Sequence, residues 1–81
     1  MTETVPANAV RAARTHAGLR QADLAAAVGV SRQTIVSTER GDYSPSVYLA
    51  LRLARALDST VEHLFPIPPL PDSPIPGSKE N

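Results

Sequence analysis

Gln21-Ala-Asp-Leu-Ala-Ala-Ala-Val-Gly-Val-Ser-Arg-Gln-Thr-Ile-Val-Ser-Thr-Glu-Arg-Gly41 is the stretch on which the fold of this 81-residue chain turns. Its first eight residues, Gln21–Val28, place Leu24, Ala25 and Val28 on one side of a short helix. Arg20, just before it, is a poor cap, because a guanidinium offers no acceptor to the free amides of a first turn. Gly29 follows at once, where a left-handed residue ends a helix. Two residues later Ser31 is a good N-cap for the next helix, which runs to about Arg40 with Ile35 and Thr38 facing inward. Gly41 stops that helix, and Asp42-Tyr43-Ser44-Pro45 forms a loop. Two helices separated by so short a corner cross at a wide angle and present the second one outward.

The surrounding sequence continues in the same way. Between positions 8 and 65 alanine occurs eleven times, and no alternating strand pattern appears. Asn8 is placed as N-cap of a first helix with Val10, Ala13, Arg14 and Ala17 on one face, and Gly18 closes it. Ser44-Pro45-Ser46 opens a fourth helix whose apolar stripe is read as positions 47, 50, 53, 54 and 57, leaving Tyr48, Leu49 and Leu51 off the stripe. Thr60 caps a last turn, Val61-Glu62-His63-Leu64-Phe65, which Pro66 ends. The prediction is an all-α bundle of five short helices over residues 8–65. Residues 1–7 are expected to be a flexible N-terminus. Residues 66–81 hold six of the eight prolines and are expected to be a Pro-rich disordered tail acting as a spacer.

With these elements in order, the segment from Gln21 to Ser46, continued through Leu53-Ala-Arg-Ala-Leu57 and Glu62-His-Leu-Phe65, resembles the phage repressor/Cro-type (XRE-like) helix-turn-helix family. The likeness covers about 58 of the 81 residues. It implies a repressor-like DNA-binding domain that lays helix 32–39 in the major groove. The family's reading positions fall on Ser31, Arg32, Gln33 and Ser37, and its phosphate-gripping glutamine on Gln21. Thr34 and Tyr43 complete the expected DNA-facing set, with Arg20 and Arg40 flanking it. The chemistry agrees independently, since arginine reads guanine O6/N7 and glutamine reads adenine N6/N7. Val36 is either a contact to a thymine methyl or simply an exposed valine. Arg14 and Glu39 match an arginine and a glutamate that the family often pairs between helices one and three, whereas Arg52 is taken as an ordinary surface arginine.

The chain also departs from the family pattern. Asp42 stands where a basic residue is common and would repel phosphate. Thr38 replaces a large aliphatic, and Ala13 replaces a larger residue on helix one.

Composition narrows the function classes. Eight Lys+Arg balance eight Asp+Glu, although residues 8–65 alone carry seven arginines against five acids. With no cysteine and two histidines 47 positions apart, His16 and His63, no metal site and no cofactor is expected. The same inventory lacks a nucleophile–base pair or a Gly-rich phosphate loop, so an enzyme is not expected. No apolar run suggests a membrane span and Met1–Asn8 shows no signal peptide, so a cytoplasmic location is expected. The leading reading is a sequence-specific transcriptional regulator, a repressor at a palindromic operator, binding double-stranded DNA as a homodimer. The competing reading is a protein-interaction module of antitoxin type with a protein partner and only secondary DNA binding. It rests on charge: between Gly18 and Pro45 three arginines face three acids.

Overall fold

The computed structural model describes residues 8–67; residues 1–7 and 68–81, and with them the expected flexible N-terminus and most of the expected Pro-rich tail, lie outside the described residues. Five helices follow one another: α1 Val10–His16, α2 Gln21–Val28, α3 Arg32–Arg40, α4 Val47–Ala56 and α5 Val61–Leu64. The described residues contain no strand.

The corner between α2 and α3 forms for the reasons visible in its sequence. Gly29 has φ +76°, and the amides of Gly29 and Val30 donate to the carbonyls of Ala26 and Ala25, closing the last turn of α2. A Cβ at Gly29 would meet no atom within 4 Å, so backbone conformation alone selects glycine there. Ser31 then turns the chain into α3, its Oγ accepting from the Thr34 amide at 3.2 Å. Gly41, at φ +82°, ends α3 in the same manner as Gly29 ends α2.

A single core joins the helices. Val10 from α1, Leu24 and Val28 from α2, Ile35 from α3, Leu53 from α4 and Leu64 from α5 are its centre, each buried. α2 packs against both α3 and α4, α1 against α3, and α5 against α4. Thr38 is fully buried and polar, and its hydroxyl donates to the Thr34 carbonyl at 2.7 Å. The bond satisfies the one polar atom that a larger aliphatic would not have brought in.

Several expectations are corrected by the structure. α4 begins at Val47 with Ser46 as its cap, so Pro45 precedes the helix rather than opening it. Its buried face is Leu49, Ala50, Leu53, Ala54 and Leu57, while Val47 is 72% exposed. Leu49 therefore belongs to the core, and Val47 does not. The N-cap position of α1 is Ala9. Asn8 nevertheless secures that end, its Oδ1 accepting from the Val10 amide at 3.0 Å while its Nδ2 donates to the Thr38 carbonyl at 2.8 Å. Ala17, expected on one face with Val10 and Ala13, is exposed. Arg52 is no idle surface arginine either: its Nε donates to the Val28 carbonyl at 3.1 Å, tying α4 to the free end of α2.

Candidate nucleic-acid interface

α3 is held by one face and offers the other. Ile35 and Thr38 anchor it in the core, whereas Ser31, Arg32, Gln33 and Arg40 are exposed. Arg32 and Gln33 occupy the first turn, where the free amides of the helix end carry partial positive charge. Gln33 is not loose, since its Nε2 donates to Ser37 Oγ at 3.3 Å. Ser31 and Thr34 are likewise joined, their hydroxyls 3.0 Å apart. The exposed turn thus presents a guanidinium, a carboxamide and hydroxyls, the donor and acceptor types that read base edges.

Behind this face lies a buried ion pair. Arg14 Nε donates to Glu39 Oε2 at 2.6 Å and Arg14 Nη2 donates to Oε1 at 3.2 Å. The side chains are only 12% and 4% exposed. Two further bonds hold the pair: Arg14 Nη1 donates to the Leu19 carbonyl at 2.8 Å, and Gln21 Nε2 donates to Glu39 Oε1 at 3.2 Å. One carboxylate therefore fixes α1, the start of α2 and the end of α3 relative to one another. Gln21 is oriented by this contact before anything binds to it.

The flanking arginines carry partners of their own. Arg20 forms an exposed fork on Asp23, with Nε to Oδ2 and Nη2 to Oδ1 both at 3.1 Å, and the Arg20 amide donates to Asp23 Oδ2 at 2.8 Å. Asp23, at the third position of α2, thereby satisfies the amide of the N-cap residue, the part of a capping box that a carboxylate there supplies. These hydrogen bonds, first from the Arg20 side chain and then from its amide, hold the Asp23 carboxyl below the usual carboxylate range. Asp23 in turn raises the pKa of Arg20. Arg40 Nε lies 3.4 Å from Asp42 Oδ2 in an exposed pair. Asp42 thus engages Arg40, besides standing where a basic residue was expected.

The structure gathers some of the expected residues and separates others. Gln21, Glu39, Arg14 and Arg40 line one groove of about 320 Å³, joined there by Val36 and by Arg11. Arg20, Ser31, Arg32, Gln33, Thr34, Ser37 and Tyr43 do not line that groove; Tyr43 is 44% exposed in the loop after α3. Arg11 was not singled out from sequence, although its i, i+3 spacing to Arg14 puts both on one side of α1. A second groove, of about 490 Å³, brings together His16 from α1 and His63 from α5 with Asp58. No local pattern relates those histidines; only the fold does. Among the described residues there is no group of three or more potential metal ligands. Nor is any helix there long and apolar enough to cross a membrane.

A helix-turn-helix family model, of the XRE type, matches residues 10–64, the span from the start of α1 to the end of α5. The chain belongs to that XRE-type helix-turn-helix family. An uncharacterized HTH-type transcriptional regulator of Methanothermobacter thermautotrophicus is 56% identical over 57 residues, covering 69% of this chain and 83% of the relative. The HTH-type transcriptional regulator YgzD of Bacillus subtilis is 41% identical over 58 residues, covering 72% and 88%. Among solved structures, the P22 c2 repressor in complex with a synthetic operator is 35% identical, with a TM-score of 0.68, covering 70% of this chain and 86% of that one. The restriction-modification controller protein C.AhdI of Aeromonas hydrophila is 39% identical, with a TM-score of 0.65 and coverage of 69% and 85%. The all-α, five-helix arrangement of the XRE family is thus the arrangement found here.

Proposed function

We propose that this XRE-family chain is a sequence-specific DNA-binding transcriptional regulator, a repressor that binds a palindromic operator as a homodimer in the cytoplasm. In this reading residues 8–65 form the DNA-binding domain. The observation that carries it is α3 itself: a helix anchored by Ile35 and Thr38, capped by Ser31, with Arg32 and Gln33 exposed in its first turn. Arg32, Gln33 and Ser37 reach base edges, with Ser31 and Thr34 at the groove wall. Gln21, Arg20, Arg40 and Tyr43 meet the phosphate backbone. Repression follows from occupancy, because a protein seated in the major groove at a promoter excludes polymerase. Likeness to repressors and HTH-type regulators supports the assignment.

A palindromic site requires two recognition helices about 34 Å apart, so a second copy completes the unit. The proposed surface combines His63 of α5 with the outer edge of α4, where Tyr48 and Leu51 are 75% and 52% exposed.

One observation favours the interaction-module reading. Arg20 and Arg40, the flanking arginines, are both engaged by acids, so the face has little net positive charge. A single experiment separates the two. The full chain is used to select double-stranded DNA from a random pool, and binding to the enriched site is titrated by gel shift at two salt concentrations. A repressor gives one enriched palindrome and a shallow salt slope, set by few phosphate contacts, at about 0.9 log unit of affinity per log unit of salt for each. An interaction module enriches no sequence.

A further inference from the structure

Val36 is an apolar side chain without an apolar role in the fold. It lies on α3 one turn after Arg32 and one turn before Arg40, so the three form an i, i+4, i+8 row along the helix. Both arginines are exposed, and Val36 is only partly covered. It is absent from the core and from the partly buried residues packed against that core. Its surroundings are instead Arg11, Arg14, Gln21, Glu39 and Arg40 in the groove between α1, the start of α2 and α3. Valine is also a weaker helix former than alanine, lysine or glutamine, so local propensity does not account for it. Neither the hydrophobic core nor helix stability explains the residue.

We infer that Val36 is a specificity-determining residue, which recognises the C5-methyl group of a thymine in the major groove. That methyl is the one apolar feature on the major-groove edge of a base pair, and it distinguishes A·T from the other pairs by contact rather than by hydrogen bonding. A branched aliphatic side chain among arginines, a glutamine and a glutamate is chemically suited to nothing else on that edge. The inference rests on the DNA-binding reading above and adds a discrimination that Arg32 and Gln33 cannot supply. A guanidinium reads guanine and a carboxamide reads adenine, but neither senses whether a pyrimidine carries a methyl group.

The test uses the full chain and the double-stranded site enriched from a random pool. Each thymine of that site is replaced singly by deoxyuridine, which removes the methyl and leaves base pairing intact. Affinities are measured by fluorescence anisotropy for the wild type, Val36→Ala and Val36→Gln. The wild type is expected to bind roughly fourfold more weakly when one particular thymine in each half-site is replaced, the contribution of one buried methyl. Both variants are expected to be indifferent to that replacement while keeping the wild-type response elsewhere. The second variant, a good helix former, preserves the test where the first alters α3. A variant that keeps the wild-type penalty at every thymine would overturn the inference. So would a wild type that tolerates every replacement. Enrichment of no site at all would instead defeat the DNA-binding reading on which the inference stands, and a site that is enriched but insensitive at Val36 leaves that reading intact.

Discussion

Glu39→Ala is expected to destabilise the protein by about 3–5 kcal/mol, the usual consequence of removing one side of a buried ion pair. The geometry explains so large an effect. Glu39 is 4% exposed and accepts from Arg14 Nε, Arg14 Nη2 and Gln21 Nε2. Without it, the Arg14 guanidinium stays in its 12% exposed site with the Leu19 carbonyl as its one remaining hydrogen-bond acceptor among the described residues. Arg14→Ala strands the carboxylate in the same way, with Gln21 as its one side-chain donor among the described residues. A domain of this size has a total stability of roughly 3–9 kcal/mol, at about 0.05–0.15 kcal/mol per residue. Either variant therefore removes a third of the total or more. At about 4 °C per kcal/mol or more for so small a domain, the loss in Tm is at least about 12 °C. The assay is thermal unfolding followed by circular dichroism, with Arg55→Ala, an exposed arginine of α4, as the comparison. Arg52→Ala is unsuitable for that purpose because Arg52 donates to the Val28 carbonyl. The double variant Arg14→Ala/Glu39→Ala is expected to lose clearly less than the sum of the singles, since it leaves no stranded charge. Equal, small shifts for all three single variants would refute the reasoning and reduce the pair to surface decoration.

Three further outcomes are expected. Gly29→Val should cost about 1–2 kcal/mol in urea unfolding while Gly29→Asn costs clearly less, because the left-handed φ penalises a β-branched residue and the surrounding space is open. The Asp23 carboxyl is held below its ordinary value of 3.8 by Arg20, so its small stabilisation is fully present above that value and is lost as the pH falls through the lower folded one; the Tm difference between wild type and Asp23→Asn should accordingly close on acidification. Arg20→Ala and Arg40→Ala should weaken binding to all DNA sequences alike and each lower the salt slope by about one contact.

The corner that decides the fold was legible because each of its parts is chemically distinctive. Gly29 marks the left-handed residue, Ser31 the cap, and Leu24, Val28 and Ile35 the buried sides, and all are local signals. α4 was harder to read. Its sequence Val47-Tyr-Leu-Ala-Leu-Arg-Leu-Ala-Arg-Ala-Leu57 is apolar at seven or more positions, so more than one stripe can be drawn through it. Only packing against α2 and α5 chooses Leu49 over Val47. The same reason hides Arg52, whose partner carbonyl is 24 residues away. Within the candidate interface, Arg32 and Gln33 could be singled out because base-reading chemistry belongs to side-chain type and to the first helical turn. Arg11, the bond from Asn8 to the Thr38 carbonyl and the shared groove of His16 and His63 could not, since they depend on how α1 lies across the other helices.

The central claim is that α3 reads DNA through its first turn, and Gln33→Ala tests it most directly. Wild type and variant are titrated against the enriched site and each of its point-mutated versions at a fixed salt concentration, with the variant's fold checked by circular dichroism. The account predicts a loss of about 1–3 kcal/mol confined to one base pair per half-site, relaxed preference there, and nearly unchanged binding to unrelated DNA. A folded Gln33→Ala protein that discriminates at every position as well as the wild type does would contradict it.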